Sequence, residues 1–191
     1  MGSESIKIKL IDTAISELIN GRWEQLTIKV LSTKTKIKVS QINKISSSKE
    51  GLLDLWSQNI NLKILEKVTL QELEEVTIKE RILELMLCRL DVLNEHKKEI
   101  LALMKLARRS GIESIRAFER IKKSMEYILN LSGAKIAGKM GALKIIVLSL
   151  IWVITFKEWR DSEEEDDDSS VMSKLDKRLS IAEKLNNSLF V

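Results

Sequence analysis

The chain has 191 residues, 44% of them hydrophobic, which suits one ordinary globular domain or a small module fused to a larger one. A single cysteine, Cys88, and a single histidine, His96, exclude an intrachain disulfide and a Cys/His zinc site. Proline is absent and aromatics make up only 4%, a composition that favours helices, while the net charge of +4 conceals a strong local asymmetry.

Apolar periodicity predicts helices near 4–20, 27–34, 38–44, 48–66, 69–94, 96–109, 112–132, 138–160 and 169–188, with breaks at glycine and serine. The N-terminus, "MGSESIKIK", has no apolar run suited to a secretory signal and no Ser or Thr at the myristoylation position, so a cytoplasmic location is expected. In the first helix Ile8, Ile11, Ile15 and Leu18 recur at helical spacing, and Asn20-Gly21 is a natural stop. Thr27 can then cap the next helix.

The stretch that follows, "TIKVLSTKTKIKVSQINKISSSKE", carries six lysines and no acid until its last residue. Its middle, "TKTKIKVSQI", alternates as a half-buried strand does, but the flanking helices leave such a strand no sheet to join. As two helices, the segment gathers Ile28, Leu31, Ile37, Ile42 and Ile45 into a small shared core. That leaves Lys38, Val39, Gln41, Asn43 and Lys44 facing outward on a second helix with the length of a major-groove reader. Residues 27–49 carry +6, more than the whole chain, so one end attracts phosphate and the rest repels it.

Beyond residue 66 the helices lengthen, which divides the chain into a helix-turn-helix unit at 1–47 and a larger helical body at 48–191. Leu52, Leu55, Trp56 and Ile60 give the connecting helix its apolar face. Cys88 lies between Leu87 and Leu90 and reads as an inert buried thiol, whereas His96 in "NEHKKE" reads as solvated. An effector cavity would come from the middle helices, lined by Met86, Met104, Leu106, Phe118, Met125, Ile128 and Trp152, and would suit a small apolar ligand. "GAKIAGKMGA" lacks the spacing and the terminal Lys-Ser/Thr of a phosphate-binding loop and reads as a helix break. No nucleophile with a base and no carboxylate pair in a cleft is recognisable, so neither catalysis nor a cofactor is expected.

The run "IIVLSLIWVITF" at 145–156 is bounded by Lys144 and Lys157 and falls short of the roughly twenty residues needed to span hydrocarbon. It is expected to be a buried core or subunit-interface helix. Residues 161–168, "DSEEEDDD", form an acidic, solvated loop that ends in Ser169 and Ser170 as possible caps. The last helix aligns Val171, Met172, Leu175, Leu179, Ala182, Leu185 and Leu189 in one stripe. Two copies meeting through Ile145, Leu148 and Trp152 together with Leu175, Leu179 and Ala182 would make a four-helix bundle and a homodimer. With Lys174, Lys177 and Arg178 beside it, the same stripe could instead lie on a membrane surface.

The segment "IDTAISELINGRWEQLTIKVLSTKTKIKVSQINKISSSKEGLLDLW" resembles, without a gap, the N-terminal domain of TetR-type regulators. The likeness rests on the helix ending in "NGRWEQLT", apolar Ile28 and Leu31, the turn residue Ile37, apolar Ile42 and the "SSKEGLL" that opens the fourth helix in that family. It implies an all-α, TetR-like fold, binding of double-stranded operator DNA as a homodimer, and a C-terminal body that senses a small, often lipophilic ligand. The residues it places at DNA are Thr27, Lys38, Val39, Gln41, Asn43, Lys44 and Lys49, the last where the fourth helix meets the backbone. Lys36 replaces the usual turn glycine, and Asn43, Ile45 and Ser46 stand where aromatics are common.

The remainder, notably "IVLSLIWVITFKEWRDSEEEDDDSSVMSKLDKRLSIAEKL", also resembles the ubiquinone-biosynthesis accessory proteins that share the TetR fold. Those have given up DNA binding and hold isoprenoid lipid, and this alternative would bring peripheral membrane contact. Their tryptophan-tyrosine segment is missing, with "AGKMGALK" in its place.

Overall fold

The computed structural model describes residues 2–68, 73, 75–161 and 168–185. Among them are nine helices and no strand, so the basic stretch is helical. In chain order they are α1 (Ser3–Ile19), α2 (Ile28–Thr35), α3 (Val39–Ile45), α4 (Lys49–Lys67), α5 (Ile78–Asn94), α6 (Lys97–Ala107), α7 (Gly111–Ser132), α8 (Gly138–Asp161) and α9 (Asp168–Leu185). Most of the acidic loop, and Leu189 of the C-terminal stripe, lie outside the described residues.

The helix expected over 69–94 begins later, at Ile78. The Thr77 hydroxyl accepts from the Glu80 N–H at 3.3 Å, and the Glu80 carboxylate accepts from the Thr77 N–H at 2.8 Å. This reciprocal capping box satisfies two donors that the first helical turn leaves orphaned. Thr-x-x-Glu was therefore the start signal, and apolar periodicity alone ran across it. Residues 69–72 and 74 of that expected helix are outside the described set.

The chain forms two compact units, residues 1–60 with 96–117, and 61–95 with 118–191. The division does not follow the expected 47/48 boundary, because α6 packs on α1 and Leu106 enters the same core as Leu10, Ile11, Ala14 and Leu18. Leu106 is thus a core residue of the first unit, not a cavity wall. Trp23, Leu26, Leu31, Ile37, Ile42, Leu52 and Leu53 complete that core, with Ile28 and Ile45 packed at its margin. The small shared core expected of the two-helix element is present and continues into a larger one.

Lys36 ends α2 at φ 60°, ψ 28°, in the left-handed region, and is the one non-glycine residue with positive φ among those described. A Cβ is costly there. Neighbouring bonds hold the turn: the Ser32 hydroxyl donates to the Ile37 carbonyl at 2.6 Å, and the Thr35 hydroxyl donates to that of Leu31 at 2.6 Å. Lys36→Gly is expected to stabilise the protein by about 1 kcal/mol, raising Tm by about 2–4 °C for a chain of this size. Thermal unfolding checks this; an unchanged or lowered Tm would mean that the turn stores no such strain.

In the second unit α9 packs on α8 and α5. Leu148, Ile151 and Trp152 of α8 are buried there, as are Val171, Leu175, Leu179 and Ala182 of α9. Cys88 is buried as expected, and its thiol is pushed up to about 12 by burial and by the neighbouring Glu84 carboxylate. That leaves it protonated and unreactive. α8 is longer than its central apolar run and, by length and composition, could cross a membrane. It nevertheless carries a buried lysine, Lys144, whose ammonium donates to the Lys135 carbonyl at 2.9 Å, and its packed face belongs to the fold.

Candidate nucleic-acid interface

α3 has one buried residue, Ile42, and an outer face made of Lys38, Val39, Gln41, Asn43 and Lys44, all exposed. Seven helical residues span about 10 Å, which fits across a major groove. Lys38 is the N-cap of α3 and contributes no side-chain cap, so its ammonium remains on the outer surface. Thr27 caps α2 as expected, its hydroxyl accepting from the Val30 N–H at 3.2 Å. Asn43 is exposed and Ile45 half-buried, so of the three positions that differ from the aromatic pattern the second is partly spent on the core.

The six lysines of the stretch divide in the folded unit. Lys29, Lys36, Lys38 and Lys44 are exposed and make no ion pair among the described residues. Lys34 binds Glu17 at 3.0 Å. Lys49 is half-buried at the start of α4, its ammonium donating to the Trp23 carbonyl at 2.6 Å and lying 4.9 Å from the centre of the Trp23 ring. In this structure Lys49 ties α4 to the loop before α2, and the outward charge comes from the other four.

Glu17 was not recognisable as a candidate. It is buried at the end of α1, where Arg22 donates to both carboxylate oxygens, from Nε at 3.0 Å and Nη2 at 2.9 Å. A signal existed: an acid on the helical face of Ala14, Ile15 and Leu18, five residues before an arginine. Arg22's hydrogen bonds, with Lys34 adding to them, outweigh burial and hold the carboxyl down at about 2, against an ordinary 4.5. Because the folded value is the lower one, the stabilisation is complete above the ordinary value and is lost as pH falls toward 2. Glu17→Gln should therefore cost about 1–3 kcal/mol at neutral pH, with the deficit shrinking on acidification. Denaturant unfolding at several pH values reads this, and a deficit independent of pH would remove the ion pair as its cause.

His96, expected to be solvated, is half-buried at the N-cap of α6, edge-on to Trp56 with ring centres 5.9 Å apart. The Trp56 ring sits on the face of α4 turned toward α6, which the sequence could not reveal.

No family model matches the sequence, and no curated protein does. The structure, however, is similar to the crystal structure of a TetR transcriptional regulator from Nitrosomonas europaea ATCC 19718, with a TM-score of 0.62 over 93% of this chain and 97% of that one. Sequence identity is 18%, so what the two share is the fold. This chain has the fold of a TetR regulator.

Within the TetR-like body, the expected cavity residues divide between the units. Met86, Phe118, Met125, Ile128 and Trp152 lie in the second, whereas Met104 lies in the first. Met86, Met125, Ile128 and Trp152 are buried and Phe118 is half-buried. A cleft of 260 Å³ opens elsewhere in the second unit, lined by Leu87, Leu90, Asp91, Trp159, Ser169, Val171 and Met172. Of the expected dimer residues, Leu148, Trp152, Leu175, Leu179 and Ala182 are buried inside their own unit and Ile145 is half-buried. The open face of α8 is a different stripe, Met140, Leu143, Ile146, Leu150, Val153 and Ile154, all exposed at helical spacing.

Proposed function

We propose that the protein is a TetR-like, DNA-binding transcriptional regulator of the cytoplasm, which binds operator DNA as a homodimer and responds to a small, mostly apolar ligand held in its second unit. The observation that carries the DNA reading is the outer face of α3, where Lys38, Gln41, Asn43 and Lys44 stand exposed opposite a packed helix-turn-helix core. Lysines supply sequence-independent affinity through phosphate, while the amides of Gln41 and Asn43 suit adenine, pairing with its N6 and N7. Selection of bound genomic fragments tests it. A two-fold symmetric site with half-sites about one helical turn apart, or a multiple, is expected. Recovery of no enriched site would mean that the helix-turn-helix does not read sequence.

The homodimer reading rests on α8, whose six exposed apolar side chains form a continuous stripe that water covers in an isolated protomer. A two-fold axis lays such a stripe against its own copy. The lipid-accessory alternative drew its support from the α9 stripe lying on a membrane. Val171, Leu175, Leu179 and Ala182 are already buried against α5 and α8 or their surroundings, which leaves Met172 and Ile181 as the large apolar side chains exposed among those described on that helix.

A further inference from the structure

Arg89 of α5 is only 5% exposed, and no carboxylate pairs with it among the described residues. Its Nη1 donates to the buried Asn61 side-chain oxygen, its guanidinium lies 5.2 Å from the centre of the Trp152 ring, and its Nε–H is buried without an acceptor. Around it the same helix buries Leu85 and Met86 one turn before and Leu93 one turn after, all essentially inaccessible. Burial pulls the guanidinium down to about 10, and it remains protonated at neutral pH.

A buried cation is ordinarily neutralised by a fixed anion, because desolvation is otherwise uncompensated. An amide oxygen and an indole face are weak substitutes. A guanidinium offers a planar fork of five donors matched to a carboxylate, and here one of those donors is left over in an apolar helical body. A buried polar group without a partner calls for an explanation, and a ligand that supplies the missing bond is one. Met86 and Trp152 add an adaptable thioether and an aromatic face suited to an alkyl chain.

We infer that Arg89, with Asn61 and Trp152, is the anion-recognition point of the effector site, and that the effector is a carboxylate on an apolar chain. This rests on the second unit being the ligand-binding body proposed above, and it replaces a purely apolar ligand with an anionic amphiphile.

Calorimetric titration with decanoate and with decanol tests it, since the two share a chain and differ in head charge. The wild-type protein should bind decanoate about 10- to 100-fold more tightly than decanol, the range expected of a charge-assisted hydrogen bond. Arg89→Met should erase that preference while leaving Tm equal or higher, because an isolated buried charge is removed. Asn61→Asp should do the same by supplying an internal carboxylate, and it decides the matter should Arg89→Met fail to fold. Equal affinities for the two probes, no decanoate binding by the wild type, or a preference that survives both substitutions would overturn the inference. Operator binding separates the two readings. A head-group preference lost with Arg89 upholds this site even if decanoate leaves DNA affinity unchanged, an outcome that would count against the regulator. Sequence-specific DNA binding without any carboxylate preference would overturn the site alone.

Discussion

Replacing Lys38 and Lys44 by alanine is expected to weaken duplex DNA binding by roughly two to three orders of magnitude near 0.1 M salt and to flatten its salt dependence. Each phosphate neutralised by a lysine releases a condensed counterion, and log K falls with log salt at a slope of about −0.9 per contact. Four exposed lysines are available per protomer, since Lys34 is held by Glu17 and Lys49 by Trp23. With two to four of these engaged in each of two protomers, the slope should be about −4 to −7. The double substitution removes up to four contacts per dimer and should lower the slope's magnitude by about 3 to 4. Helical content should not change, because both side chains point away from the core around Ile42. Gln41→Ala is the contrasting case, relaxing base preference at one position by about 1–3 kcal/mol while the salt slope stays as it was. Filter binding across a salt series measures both, and a slope untouched by the double substitution would show that α3 is not the face against DNA. Lys49→Ala should act differently, loosening the α4 junction with Trp23 more than it alters the slope.

Leu150→Glu combined with Ile154→Glu is expected to convert a homodimer into folded monomers. The two side chains are 52% and 49% exposed in the protomer, one turn apart on the open face of α8, so the protomer tolerates charge there. Across a two-fold axis each glutamate meets apolar surface or its own like-charged copy, and burying it unpaired should raise the dimer dissociation constant about a thousand-fold or more. Light scattering over a dilution series reads the change, with circular dichroism confirming the helices. Leu148→Glu provides the control for the opposite face: that side chain is wholly buried in its own unit, and the substitution should unfold the unit instead of separating the subunits. A wild-type protein that is strictly monomeric at micromolar concentration would remove the dimer from the proposal.

Much of this molecule follows from local pattern. The 3.6-residue period of its apolar side chains places seven of the nine helices within two residues at both ends and the start of α9 within one, as well as the Thr27 cap and the contacts of Leu31, Ile37 and Ile42, because each depends on residues a few positions apart. The likeness to the TetR N-terminal segment is read from motif spacing, and the fold it implied is the fold observed, at 18% identity to the solved regulator. Pattern failed at Thr77, where a capping box interrupts a run whose hydrophobic period continues across it. It also identified apolar stripes without saying which one meets the protomer's own core and which meets water. Leu148 and Leu150 sit two residues apart in one apolar run, and only the packing of α9 and α5 on α8 decides that the first is buried and the second open. The same holds for charge. Six lysines are visible in the stretch, but that Glu17 takes one and Trp23 another depends on a folded loop, and that Arg89 meets an amide and an indole depends on three helices converging. Electrostatic environment is set by what lies within a few ångströms in space, and sequence neighbours supply only part of that.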